Sequence, residues 1–271
     1  MAILSMRLTN AGGDYVDLVD PYRVTGLDGL GRAPLAHQLQ QGPYQDGASR
    51  LGGKLQARVI TIGIAQVAAS ETAAWTAWDN LLKVLQDYDG SATLRVTRSD
   101  ASYRDLTVYY EAGLGMPLEA ANTHKLWRHA LQLVAFDPLF TGDLVTVSLN
   151  VNATTNITYA GTHESLPLIY IVGPAVAVNV TSNTTSEKVA LSGLSIADGE
   201  VVIIDCRYGY KTVTSDINGN LIAYLTSDSD LATFHLAANP EVDGGVNVIT
   251  TTVVGAITSL SLKYYPRYLS A

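Results

Sequence analysis

The chain of 271 residues contains one cysteine, Cys206. No internal disulfide can form, so the framework of small secreted domains is excluded and folding in a reducing cytosol fits. Charge is also scarce. Charged residues make up 15% of the chain, and acidic residues outnumber basic ones 25 to 17, for a net charge of −8. That sign argues against a basic groove for nucleic acid and against docking on an anionic membrane. It remains compatible with an acidic wall past which DNA slides without sticking. No apolar run approaches the roughly 18 residues that a membrane helix needs. The opening "MAILSMRLTNAGG" has neither the charged n-region nor the sustained apolar run of a signal peptide. The sequons at Asn152, Asn156, Asn179 and Asn183 are therefore read as Asn/Thr-rich β surface rather than as glycosylation sites.

Signatures of catalysis are missing as well. The histidines, His37, His124, His129, His163 and His235, show no short metal-binding spacing, and Cys206 has no Cys or His near it in sequence. No metal site and no cofactor is expected. No Gly-x-Ser-x-Gly elbow occurs. "GLDGLG" at 26–31 has the look of a phosphate loop, but no Lys-Ser/Thr follows it and no long helix opens there, so it reads as a glycine turn between strands. Asp198, Asp216, Asp228, Asp230 and Asp243 fall in turn-like segments, where Asp is expected for backbone reasons. Cys206 follows an apolar run and reads as a buried small hydrophobe. No catalytic residue is assigned.

What is present is a large apolar fraction, 47%, enough for a sizeable core. One segment has helical periodicity. Ser70 is a good N-cap, Glu71 sits in the first turn, and Ala74, Trp75, Trp78, Leu81, Leu82, Leu85 and Tyr88 share a face, with Gly90 as a C′ stop. This predicts a helix near 70–89 whose two tryptophans belong to the core. "SATLRVTRS", "SYRDLTVYYEAGL" and "HKLWRHALQLVAF" then read as strands. Ahead of the helix, Lys54 to Val67 carries a long strand signal whose apolar face changes parity. Leu55, Ala57 and Val59 give way to Ile60, Ile62 and Ile64. Such a change implies a bulge, a twist, or a strand half inside the domain and half in a projecting arm.

After "AFDPLFTG" the composition shifts to Asn, Thr, Val and Ser without helical period. Short strand candidates follow, among them "ESLPLIYIVG", "EVVIIDC", "LIAYL", "TFHLA" and "GVNVITTTV". Turn signals at Asp198-Gly199, Asn218-Gly219 and Asp243-Gly244-Gly245 punctuate them. This pattern predicts an antiparallel sandwich. The chain is thus read as mainly β, with an N-terminal β-rich domain bearing one helix at 1–142 and a β-sandwich at 143–271.

The ordered set "GPYQDGASRLGGKLQARVITIGI", "WTAWDNLLKVLQ", "ATLRV", "YRDLTVYYEAG", "LQLVAFDPLFTG", "AGTHESLPLIYIVGP", "LSGLSIADGEVVIIDCRYGYKTVTSDINGN" and "GGVNVI" resembles the distal tail (Dit), or siphovirus tail-component, family of long-tailed bacteriophages. The resemblance covers nearly the whole chain. It implies a virion tail protein, made in the bacterial host cytoplasm, that is structural and not an enzyme. It further implies that the first domain builds a hexameric ring, that the second is a galectin-like sandwich facing outward, and that the ring joins the tail tube protein to the tail-tip or baseplate hub protein around a channel for DNA. In that setting Gly42 to Val67 is an arm that packs on the next subunit, with Gln45, Asp46, Gly47 and Arg50 at its tip and Arg58 on its polar face, where a guanidinium could pair with a neighbour's carboxylate. The chain is too short to hold the sugar-binding or receptor-binding insertions of some relatives. Two other classes stay open: a carbohydrate-binding adhesin that uses Tyr208, Tyr210 and Tyr224, and a glycoside-active enzyme, for which no residue constellation is evident.

Overall fold

The computed structural model describes residues 3–86, 90–115 and 126–271. The chain is mainly β and divides into two compact units, Met1–Thr141 with Leu269–Ala271, and Gly142–Tyr268. The sequence reading assigned everything after 142 to the second domain. Leu269–Ala271 instead rejoin the first unit.

The first unit contains β1 (Ile3–Asn10), β2 (Tyr15–Asp17), β3 (Tyr22–Asp28), β4 (Leu35–Gln40), β5 (Ser49–Leu55), β6 (Arg58–Gln66), α1 (Glu71–Leu85), β7 (Ser91–Arg98), β8 (Tyr103–Gly113), β9 (Trp127–Ala135) and β10 (Phe140–Thr141). The main antiparallel sheet runs β2-β1-β7-β8-β9-β6-β3, with β10 joined to β8 where Thr141 faces Asp105. Period-2 alternation sends Met6 and Leu8, Leu94 and Val96, Leu106 and Val108, Leu131 and Leu133, and Ile60, Ile62 and Ile64 into the core.

Helix α1 packs against β1, β2 and β7 and buries Ala74, Trp78, Leu81 and Val84. Its N-terminus is capped as expected: Ser70 Oγ accepts from the Ala73 N–H at 3.2 Å. Trp78 stacks on His129, with ring centroids 4.6 Å apart, and Trp75 meets Trp127 edge-on at 4.8 Å. Burial holds the His129 imidazole below its ordinary value, so this histidine belongs to the aromatic core as a neutral group. The helix is shorter than the expected 70–89. It ends at Leu85, with Gln86 as C-cap, and Gly90, at φ +72°, belongs to the approach to β7. Tyr88 lies outside the described residues.

The parity change before the helix has a different cause from a bulge. The long strand signal is two strands: β5 ends at Leu55 and β6 begins at Arg58. Arg58 therefore shares the inward face with Ile60, Ile62 and Ile64 and is 1% exposed. This corrects the expectation that it lies on the polar face of an arm. Its Nη1 donates to the carbonyls of Gly29 (2.9 Å) and Gly31 (2.7 Å), its Nη2 to that of Leu269 (2.9 Å), and its guanidinium carbon lies 4.7 Å from the Phe140 ring centroid. Gly29 is required there. At φ +88°, a Cβ on it would stand 2.2 Å from the Val59 carbonyl oxygen. The "GLDGLG" segment is thus a receptacle for a guanidinium. Arg98 and Arg104 extend the pattern by donating to the carbonyls of Ala271 and Ser270, while the Ala271 N–H donates to Leu30 at 3.0 Å.

The second unit is a two-sheet sandwich. β11 (Val145–Ser148), β12 (Thr154–Thr158), β13 (Leu168–Val172), β14 (Ala177–Ser182), β15 (Glu187–Leu191), β16 (Val201–Asp205), β17 (Thr212–Ser215), β18 (Gly219–Asn220), β19 (Val246–Val254) and β20 (Ser259–Tyr264) form sheets ordered β11-β20-β13-β16-β17-β18 and β12-β19-β14-β15. Ile169, Ile171, Val202, Ile204 and Leu262 of one sheet and Ile157, Val178, Val180, Val189 and Ile249 of the other build one core. Two expected strands are absent. "LIAYL" contains a 3-10 turn, Ile222–Tyr224, and "TFHLA" makes only a bridge from Leu236 to Ser165, with Phe234 and Leu236 buried as core plugs. Strand β12 was missed because "TTNIT" buries only Ile157.

A fully buried carboxylate, Glu200, organises one end of this sandwich. It accepts from the Ala197 N–H (2.7 Å), from Asn218 Nδ2 (2.8 Å) and from Ser215 Oγ. Burial alone would raise its pKa, but these hydrogen bonds outweigh that effect and hold it below its ordinary 4.5.

Two expectations follow from these buried groups. Arg58→Ala removes the donors to three part-buried carbonyls and should cost about 3 kcal/mol, on the scale of about 1.5–3 kcal/mol for hydrogen bonds to charged groups, measured by urea denaturation. A loss below about 0.5 kcal/mol would mean that water replaces the guanidinium. For Glu200, a folded pKa below the unfolded one means that its contribution is fully present above pH 4.5 and is lost as pH falls from there through the lowered value. Glu200→Gln should therefore flatten the acid limb of stability against pH. An unchanged acid limb would show that Glu200 is not the group responsible.

Candidate assembly surface

Strands β4 and β5 form a two-stranded sheet of their own, separate from the main sheet. Leu35 pairs with Leu55 and Gln40 with Ser49, and the register slips between Gln38 and Leu39, where Leu51 is the extra residue. Five of the six β4 residues are exposed, as are five of the seven in β5. Isolated ribbons are marginal in water, so this one has little to stabilise it beyond its own ladder. Its outer edges carry unpaired backbone groups, and its surface shows Leu39 at 62%, Leu51 at 66% and Tyr44 at 102% exposure.

The tip is held by short polar contacts. The Gly42 N–H donates to Gln45 Oε1 (3.2 Å), the Gln45 N–H to the Gly42 carbonyl (3.1 Å), and Gln45 Nε2 to Ser49 Oγ (2.9 Å). Gly47, at φ +79°, completes the reversal next to Asp46. Arg50 Nε donates to His37 Nδ1 at 3.1 Å across the ribbon. Gln45, Asp46, Gly47 and Arg50 are thus together on one exposed hairpin. Arg58 is not with them. Leu39, Tyr44 and Leu51 were not among the sequence candidates, because the polar, glycine-rich residues around them give no alternation that would mark a face. Their signal was three large apolar side chains in a segment with no periodicity to bury them.

The tyrosines of the second unit sit in a different chemistry. Tyr208 and Tyr210 lie on one turn at 63% and 61% exposure, and Tyr224 on the 3-10 turn at 41%. Lys211 Nζ stands 5.0 Å from the Tyr208 ring centroid, and the Arg207 guanidinium stands 4.5 Å from that of Tyr210. Two of the three rings therefore already face a cation of their own chain. Lys211 is fixed by the carbonyls of Cys206, Leu231 and Ala232, and Arg207 by a fork onto Asp205.

Other chemical groups are engaged structurally. Burial pushes the Cys206 thiol up to about 12, far from a reactive thiolate. Asp216 accepts the Val201 N–H (2.9 Å), Asp230 accepts the Lys188 N–H (3.0 Å), and Asp228 pairs with Lys188 Nζ. One cluster was invisible to residue spacing. Glu164, His235 and Glu241 come from separated segments and bring a potential ligand atom each within 4.8 Å of the others.

No family model and no curated protein matches the chain. Solved structures do. The crystal structure of the Dit protein of phage SPP1, described as a paradigm of the hub adsorption apparatus in phages infecting Gram-positive bacteria, superposes with a TM-score of 0.72 at 17% identity, covering 97% of this chain and 98% of that one. Chains of the phage p2 baseplate in its activated conformation match over 98% of each chain with Ca (TM-score 0.55, 9% identity), and with Sr over 96% of this chain and 97% of that one (0.54, 8%). From its first strand to its last, this chain has the fold of the SPP1 Dit hub protein.

Proposed function

We propose that this chain is a structural subunit of a phage tail, a distal tail protein of the baseplate hub that closes into a hexameric ring between the tail tube and the tail tip. The observation that carries the reading is the exposed β4–β5 ribbon, a two-stranded sheet outside the main sheet that shows Leu39, Tyr44 and Leu51 to solvent. A ring needs a heterologous contact, one surface meeting a different surface on the next copy, and a ribbon that adds to a neighbour is such a contact. Near-complete coverage of the SPP1 Dit fold supports the same role.

The net charge of −8 suits a channel for DNA, since few phosphate contacts form and few counterions are released to hold the duplex back. Neighbours of the ring are the tail tube protein on one side and the tail-tip or baseplate protein on the other. The adhesin reading is weaker, because Tyr208 and Tyr210 each already have a cation of their own chain against the ring.

The test pairs folding with assembly. Leu39→Ser with Leu51→Ser removes apolar surface that is already in water, so subunit stability should change by no more than about 0.5 kcal/mol. Assemblies of the parent chain, seen by sedimentation velocity and negative-stain imaging as six-fold rings, alone or with tail partners, should be lost. A double variant that still assembles, or one that unfolds, would remove the ribbon from the role given to it here.

A further inference from the structure

We propose that Glu164, His235 and Glu241 form a binding site for a divalent transition-metal ion of zinc's class, with the Thr233 carbonyl orienting the imidazole. The fold brings these residues together through an antiparallel bridge. The Ser165 N–H donates to Leu236 (3.1 Å) and the Leu236 N–H to Ser165 (2.8 Å), which sets Glu164 beside His235. Glu241 arrives from the turn ahead of β19.

The two ring nitrogens of His235 have different surroundings. Nδ1 lies 2.9 Å from Glu187 Oε2 and 2.9 Å from the Thr233 carbonyl, so its environment is a proton-accepting one. The same Glu187 oxygen accepts the His235 backbone N–H (3.1 Å) and the Thr185 hydroxyl (2.9 Å), which fixes the carboxylate in place. The Nδ1 hydrogen bond goes to the Thr233 carbonyl, and a backbone carbonyl on one imidazole nitrogen, leaving the other for an ion, is a usual outer shell of a ligating histidine. Nε2 faces Glu241 Oε1 at 3.4 Å. That is long for a hydrogen bond between charged partners. It is instead close to the roughly 3.3 Å that separates N and O ligands of a tetrahedral ion with bonds of about 2.0–2.2 Å.

The donor set selects the class of ion. One imidazole with two carboxylates suits zinc and its first-row neighbours, whereas calcium and magnesium take oxygen ligands alone. The His235 and Glu187 side chains are each 14% exposed, while Glu241 is 56% exposed. The site is thus built on a fixed inner wall and open on the Glu241 side, which leaves a path for the ion and a position for water. A bound ion would staple the 164 segment, the 235 segment and the 241 turn of the sandwich together. The proposal does not depend on the assembly role, since the cluster lies wholly in the second unit and the ribbon in the first.

The experiment uses the full chain without a polyhistidine tag, stripped with chelator and then titrated with zinc chloride by calorimetry and thermal melting. One ion per chain should bind and raise the melting temperature to a plateau, with calcium and magnesium chlorides failing to compete. Glu241→Gln, a change at an exposed side chain, should weaken zinc at least tenfold while leaving the zinc-free melt unchanged, and His235→Gln should abolish binding. If His235→Gln does not fold, Glu241→Gln and Glu164→Gln decide. No zinc-dependent shift in the parent chain, or unaltered affinity in the glutamate variants, would show the cluster to be only a histidine paired with carboxylates.

Discussion

The buried guanidinium of Arg58 ties together segments that are far apart along the chain. It closes the turn after β3 through Gly29 and Gly31 and holds Leu269 through a third carbonyl. A planar cation with forked donors can satisfy several carbonyls at once, which an ammonium on a flexible stem does less well. Around it the geometry leaves little freedom. Gly29 has no room for a Cβ, Phe140 covers the guanidinium, and Arg98 and Arg104 take the next two carbonyls of the final segment. The edge of the main sheet, the start of β6 and the final residues are thereby one unit.

This interaction also explains why the β4–β5 ribbon stands apart. The chain leaves β3 at the Gly29–Gly31 turn, forms the ribbon, and is recaptured at Arg58 as β6 begins. What lies between is anchored at its base on the Arg58 lock and is otherwise in water. The rigid base and the exposed ribbon are consequences of the same two-residue break after Leu55, where inward and outward positions exchange.

Much of this was legible in the residues. Ser70 capped the helix it was expected to cap, Ala74, Trp78 and Leu81 went into the core while Trp75, Leu82 and Leu85 are half-buried, and β7, with its clean alternation, appeared where period 2 placed it. The failures have physical reasons. Arg58 read as a solvent-facing residue because a charge in a strand defaults to the polar face, and nothing local announced the carbonyls of Gly29, Gly31 and Leu269. "TFHLA" read as a strand because Phe234 and Leu236 are buried, but burial came from plugging a core rather than from a ladder. The gathering of Glu164, His235 and Glu241 depends on a bridge between distant segments, which spacing along the chain does not encode.

The return of Leu269–Ala271 to the first unit makes the sandwich a guest within a host. The chain leaves the host after Thr141 and comes back after Tyr268, and the two crossing points are neighbours, since the Gly142 N–H donates to the Pro266 carbonyl at 2.9 Å. A guest whose ends meet can be lengthened, shortened or exchanged without moving either attachment point, because closing a long loop costs only slightly more as the loop grows. It is also held by two covalent tethers in place of one.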